Sequence, residues 1–378
     1  MFMLMIVALY SAVNVYLARR IIRWLRTMLP RMKAWPVAVI YGLLAATIVM
    51  PLIRGTAWWQ RALTWVGAHW MGVFVYLLLF WVLADVITLV VHLLRRGKGP
   101  LPVSYRRMVG WLVMVLTVSF CGYGIWNAQQ IRSASYTVQV DDPDLGGDMR
   151  LALVSDLHLG AIGSEDRLET IVTEINALQP DLVLIAGDLF DNDFTAIRDP
   201  QRVTTLFRDI RATHGVYACL GNHDSGVTAV QMRQLLQDGG VVCLNDSMAV
   251  IDDRLALVGR LDGSPIGGYD GLTRADGAAL MQQAAQTNLP VLVMDHNPSH
   301  ISEYGSETDL IVSGHTHRGQ IFPANLITDM MYTVDYGYYR ADENSPQVIV
   351  TSGAGIWGLP MRVGTQCEVV TITLTAAP

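Results

Sequence analysis

Seven side chains of metal-binding type each follow a short apolar run: Asp156, His158, Asp188, Asn222, His296, His315 and His317. They offer two carboxylates, one amide oxygen and four imidazoles. A divalent ion takes about four to six such donors, so seven are more than one ion needs. A carboxylate shared by two ions would hold them about 3.5–4 Å apart, the spacing used for in-line displacement at phosphorus. Oxygen and nitrogen donors without thiolate suit Mn2+, Fe2+ or Zn2+ and disfavour copper(I) or an iron–sulfur cluster. In such a site a hydroxide poised on one ion would attack phosphorus, while both ions offset charge on the phosphoryl oxygens. Singly, each signal is weak. A DxH can cap a strand, GD and GNHD can be ordinary turns, and a lone histidine is more often structural. The argument rests on five motifs in order, each behind an apolar run.

Those runs are what must position the motifs. Leu151–Ser155 leads into Asp156 and Leu182–Ala186 into Gly187-Asp188. Val216–Leu220 leads into Gly221-Asn222-His223-Asp224, Val291–Met294 into His296, and Leu310–Val312 into Gly314-His315-Thr316-His317. Short apolar runs of this kind read as buried strands. Between them Leu168, Ile171, Val172, Ile175 and Leu178 share one helical face, started at Ser164 and stopped by Pro180. Val203, Leu206, Phe207 and Ile210 mark a second helix. Strands over 348–350 and 369–374 finish the chain. Alternating strands and helices predict an α/β layer architecture in which polar groups gather at the carboxyl ends of strands. The motifs are therefore expected to converge.

The first third of the chain is different. Up to residue 135 there are fourteen Lys and Arg against one acid, Asp85, a net +13; beyond it, thirteen Arg and thirty-two acids give −19. Four runs there approach the roughly 20 apolar residues that cross a bilayer, which predicts a transmembrane unit over 1–131 with helices at about 2–18, 36–53, 70–94 and 108–127. The first run lacks a basic leader and a small-residue cleavage site, so it reads as an uncleaved helix rather than a signal peptide. Arg19–Trp35 reads as an interfacial amphipathic helix and Asn127–Thr137 as a polar linker. Asp85, costly in lipid, is a functional candidate by default, or an interhelical hydrogen-bond partner. The four cysteines form no framework and no zinc spacing. Basic charge lying between apolar runs gives no reason to expect a nucleic acid.

The series Asp156-x-His158, Gly187-Asp188-x-x-Asp191, Gly221-Asn222-His223-Asp224, His296 and Gly314-His315-x-His317 resembles the calcineurin-like metallophosphoesterase family, in particular its bacterial membrane-associated branch of transmembrane metallophosphoesterase-domain proteins. That resemblance implies a domain over 136–378 built of two mixed sheets sandwiched by helices. It implies that Asp156, His158 and His317 hold one divalent ion, that Asn222, His296 and His315 hold the other, and that Asp188 bridges them. It also implies that His223, paired with Asp224, acts as acid on the leaving oxygen, with Asp191 behind the ligands. Arg318 replaces a glycine of many relatives; it either grips a substrate phosphate or makes a surface ion pair. His214 and His300 read as ordinary surface residues.

The implied activity is hydrolysis of a phosphomonoester or phosphodiester, with a lipid or envelope substrate favoured by the anchor. The alternatives are cleavage of a nucleotide-linked lipid pyrophosphate and a metal-retaining sensor without catalysis. Loops 19–35 and 95–107 carry eleven Lys and Arg against three elsewhere in the first part. By the positive-inside rule those loops face the cytoplasm. With four spans, the catalytic domain then lies outside the inner membrane, in the periplasm.

Overall fold

The computed structural model describes residues 2–52, 57–95, 99–140 and 146–376. They fall into two units, Met1–Trp126 with Leu359–Met361, and Asn127–Gly358 with Arg362–Pro378.

The first unit is helical: α1 (Phe2–Met28), α2 (Ala34–Ala46), α3 (Trp58–Leu94) and α4 (Val103–Gln129). Hydrogen bonds set the directions. Tyr10 donates to the Ala45 carbonyl and Tyr41 to Asn14 Oδ1, each at 3.0 Å, so α2 returns along α1. Tyr16 donates to Asp85 Oδ2 at 2.7 Å, and Trp70 Nε1 to the Tyr10 hydroxyl at 3.3 Å, so α3 runs beside α1 in the same sense. Trp24 Nε1 donates to the Arg107 carbonyl at 3.3 Å, which starts α4 next to the end of α1. Asp85 is thus an interhelical partner, held by Tyr16 and Arg20.

Two expectations are corrected here. Arg19–Met28 is no separate interfacial helix; it continues α1, which stops just before Pro30. The second apolar run is α-helical only to Ala46 and tightens into a 3-10 turn over Thr47–Leu52. Pro51 explains this, because proline lacks the N–H that the α ladder needs. Among the described residues, three helices rather than four are by themselves long and apolar enough to cross a membrane: α1, α3 and α4.

The second unit contains β1 (Ile131–Val140), β2 (Met149–Val154), α5 (Glu165–Ala177), β3 (Leu182–Ala186), α6 (Pro200–Arg208), β4 (Val216–Cys219), α7 (Ala229–Asp238) and β5 (Val241–Cys243). It continues with β6 (Ser247–Ile251), β7 (Leu255–Gly259), α8 (Ala278–Ala285), β8 (Val291–Met294), β9 (Leu310–Ser313), α9 (Ala324–Met331), β10 (Gly337–Tyr339), β11 (Gln347–Val350) and β12 (Cys367–Ala376). One sheet has the order β1-β12-β2-β3-β4-β5 and the other β10-β11-β9-β8-β7-β6. Both are mixed. In the first, β12 runs antiparallel to β2; in the second, β6 and β10 form antiparallel edges on a parallel centre.

Alternate residues of each strand face opposite layers. Leu151, Leu153, Leu182 and Leu184 meet Leu257, Leu292, Leu310 and Val312 of the facing sheet. Ala152, Val154, Val183 and Ile185 turn outward onto Leu168, Ile171 and Val203 of α5 and α6. Val258, Val293 and Ile311 pack on Met281 and Ala284 of α8. The arrangement is helix, sheet, sheet, helix. Ser164 caps α5 as expected, accepting from the Arg167 amide at 3.3 Å.

The linker expected over 127–137 is absent as such. Gln129 ends α4, and Ile131 begins a strand that pairs in parallel with all ten residues of β12. A domain boundary at 136 therefore falls inside β1. All four cysteines are free.

Candidate metal centre

Five strand ends deliver the seven donors. Asp156 and His158 follow β2, Asp188 follows β3, Asn222 follows β4, His296 follows β8 and His315 and His317 follow β9. The backbone at these ends is unusual. Asp156, His158, Asp188, His315 and His317 all have φ between 47° and 70°, the left-handed region that non-glycine residues rarely adopt. Such strain costs about 1–3 kcal/mol per residue and persists where the surroundings over-determine it.

Glycines make the close approach possible. A Cβ on Gly187 would lie 2.6 Å from His296 Nδ1, and one on Gly314 would lie 2.3 Å from Asp156 Oδ2. The GD and GH pairs thus have a steric reason. Each glycine precedes a donor and leaves room for a donor from another strand.

The donors form two groups, Asp156 with His158 and His317, and Asp188 with His296 and His315. His158 Nε2 lies 3.0 Å from His317 Nε2, and His317 Nε2 lies 3.3 Å from Asp156 Oδ1. In the second group His296 Nε2 is 3.2 Å from both Asp188 Oδ2 and His315 Nδ1, and Asn222 Oδ1 is 2.9 Å from that same Nδ1. Asp188 Oδ2 also stands 3.7 Å from His158 Nε2, so one oxygen faces both groups. Donors about 2.1 Å from a common ion stand roughly 3.0–3.4 Å apart, which these spacings match.

Protonation states fit the same purpose. Burial keeps His158 and His317 neutral, and the Arg362 guanidinium adds to the effect at His317. Burial and the charge of His296 push His315 down to about 3. Burial opposes ionisation of Asp188, but the charge and hydrogen bond of His296 outweigh it and hold the carboxyl below the usual range. Neutral imidazoles at His158, His315 and His317 beside an ionised Asp188 are forms a cation binds. Burial pushes His296 down, but Asp188 outweighs it and raises His296 well above its ordinary value, so a cation there would displace a proton. His296 Nδ1 sits 2.8 Å from the Ala186 carbonyl, an orientation that aims Nε2 into the site.

His223 stands at the rim of the first group, its ring 5.0 Å from that of His158 and 5.7 Å from that of Trp357. Its expected pairing with Asp224 is not what the structure shows. Asp224 is fully buried and accepts from the Phe190 and Gly221 amides at 2.8 and 2.9 Å, tying two strand-end turns together. The carboxylate facing His223 is that of Asp191, whose Oδ1 lies 3.4 Å from Nδ1. Burial disfavours a charged His223, yet Asp191 and Asp188 outweigh it and raise its pKa above the ordinary value. Among the described residues Arg318 has no ion-pair partner; its guanidinium stacks 4.4 Å over the Tyr336 ring.

Several neighbours gave no signal in the sequence. Arg362 is fully buried and donates to the His317 carbonyl at 3.0 Å, to His317 Nδ1 at 3.1 Å and to the Gly355 carbonyl at 2.9 Å. Asp262 is buried with Oδ2 unpartnered. Asp295, next to His296, is locked by Arg274 at 2.7 Å and the Tyr304 hydroxyl at 2.6 Å, with His300 at 3.5 Å. No local pattern marks Arg362 or Asp295, because His317 and Arg274, which meet them, lie 45 and 21 residues away.

Residues 149–319 match the family described as calcineurin-like phosphoesterase. The chain carries a calcineurin-like phosphoesterase domain. A transmembrane protein with metallophosphoesterase domain from Danio rerio is 27% identical over 412 residues, covering 100% of this chain and 89% of its own. A metallophosphoesterase of Campylobacter jejuni is 27% identical over 381 residues, 99% of this chain and 98% of its own. A third, from Bacillus subtilis, is 27% identical over 67% of this chain and 90% of its own. The protein is a metal-dependent phosphoesterase, and the first two relatives extend the likeness through the helical unit. Both sheets of the phosphoesterase domain bring donors to its metal centre.

Proposed function

We propose that the chain is a membrane-anchored phosphoesterase that holds two divalent ions and hydrolyses a phosphomonoester or phosphodiester of a lipid or other envelope component. The observation that carries this is Asp188 Oδ2, within 3.7 Å of His158 Nε2 and 3.2 Å of His296 Nε2. Asp156, His158 and His317 would hold one ion, Asn222, His296 and His315 the other, and Asp188 both. Mn2+, Fe2+ and Zn2+ all suit this donor set. When bound, the ions supply Lewis-acid activation of water and of the phosphoryl oxygens.

The chain's own residues do the rest. Water attacks phosphorus in line, the bond to the leaving oxygen breaks, and His223, kept protonated by Asp191, gives that oxygen its proton. Arg318, on the strand-end turn beside His317, is the side chain best placed in sequence to meet a further phosphate oxygen. Trp357 offers an apolar wall beside His223.

The anchor reading rests on length. The α2 helix contributes about 20 Å and the following 3-10 turn about 12 Å, together close to the roughly 30 Å of a bilayer core. Four crossings then follow from the alternating directions of α1 to α4. With the basic loops inside, the phosphoesterase domain faces the periplasm. Fusing alkaline phosphatase or a cytoplasm-only fluorescent protein after residue 378 tests this. Phosphatase activity without fluorescence is expected, and the reverse result removes both the topology and the preference for an envelope substrate. Screening purified full-length chain, loaded with Mn2+, against phosphomonoesters, phosphodiesters and lipid pyrophosphates tests the reaction class.

A further inference from the structure

The end of the helical unit where α1 and α3 finish and α4 begins forms an open cleft of about 770 Å³. Its walls carry Arg20, Arg23, Arg26 and Arg106 together with His92. The unit's only carboxylate, Asp85, opens onto the same cleft, but Arg20 and Tyr16 already hold it. Arg20 is fixed further by lying 4.7 Å over the Trp81 ring, and its Nε is buried without a partner. No acid of this unit remains for Arg23, Arg26 and Arg106. Three guanidinium groups converging on one space without a counter-charge make an anion site.

We infer that this cleft binds the phosphate-bearing headgroup of an anionic membrane lipid. The inference rests on the membrane reading of the helical unit, because that reading places these helix ends at the headgroup level on the cytoplasmic side. Trp81, Leu89 and Leu101 line the same space and give the glycerol backbone and upper acyl chain an apolar wall that a free phosphate does not need.

The test is native mass spectrometry of the full-length chain released from detergent micelles supplemented with phosphatidylglycerol, with phosphatidylcholine, or with inorganic phosphate at millimolar concentration. One phosphatidylglycerol should remain per chain, phosphatidylcholine should not, and inorganic phosphate should not displace the lipid. The double substitution Arg23→Gln/Arg106→Gln should cut retention at least ten-fold, and Arg23→Lys/Arg106→Lys should restore most of it. Unchanged phosphoesterase turnover and thermal unfolding would show that the glutamine variant is folded. Equal retention of both lipids, or full retention by the glutamine variant, overturns the headgroup site. Displacement by inorganic phosphate overturns the lipid assignment. Release of the chain from membranes by alkaline carbonate overturns the membrane reading, and the site with it.

Discussion

Asp191 Oδ1 lies 3.4 Å from His223 Nδ1, while Asp224, one residue along the chain from His223, points its carboxylate at backbone amides instead. The two acids should therefore fail differently. His223→Ala should retain both ions and lose roughly 10²–10⁴-fold in turnover, the usual scale for a missing general acid. Asp191→Asn should lose less, because the imidazole remains. Both losses should shrink on a substrate with a very good leaving group, and equal impairment on good and poor leaving groups would count against His223 as the acid. Asp224→Asn should show itself as a lower unfolding temperature.

Asp188→Asn should behave otherwise. One carboxylate oxygen serves both donor groups, so its loss should remove metal and activity together. Elemental analysis of the purified variant decides the point: two ions per chain with normal turnover would end the bridging assignment.

Gly314→Ala adds one methyl group where Asp156 Oδ2 and Ser155 Oγ each stand 2.3 Å away. Over-packing of this kind typically costs about 1–3 kcal/mol. Thermal unfolding should fall by several degrees, and metal stoichiometry should drop through displacement of Asp156. A variant as stable and as metal-rich as the parent would show that the turn relaxes freely.

His300 gives a pH signature away from the metal donors. The Asp295 carboxylate raises its pKa and partial burial only partly opposes this. A histidine raised in the folded state stabilises fully below its unfolded pKa of about 6.5 and loses that contribution as pH rises through the higher folded value. His300 is only partly buried, so the effect should stay below about 1 kcal/mol. Calorimetry between pH 5.5 and about 8.5 should show the parent losing slightly more stability than His300→Gln, and identical profiles would show that the pair contributes nothing.

What could be read in advance follows from range. Asp156, His158, Asp188, Asn222, His296, His315 and His317 were legible because each lies within a few residues of an apolar strand that a short window reveals. The sheet assignment of β1 was hidden because its partner is 236 residues away, Ile131 against Cys367, and because its outward face is Ser and Thr rather than apolar. Arg362 was hidden for a related reason. An arginine in a Gly-rich stretch looks solvated until His317 and Gly355 close over it. The shortened second helix could have been anticipated from Pro51, which breaks an otherwise apolar run.

The position of β12 sets an order on biogenesis. This strand lies between β1 and β2, so β1 lacks its sheet neighbour, and β2 has only β3 beside it, until residues 367–376 have been made. The edge of β2 that pairs with residues 370–374 must wait for more than 200 residues of later chain. Pairings of such long sequence separation form late and leave edges open in the meantime. A stop codon anywhere before residue 367 would leave β1 without its partner strand and β2 with an open edge, and such truncated chains would be natural targets for proteases.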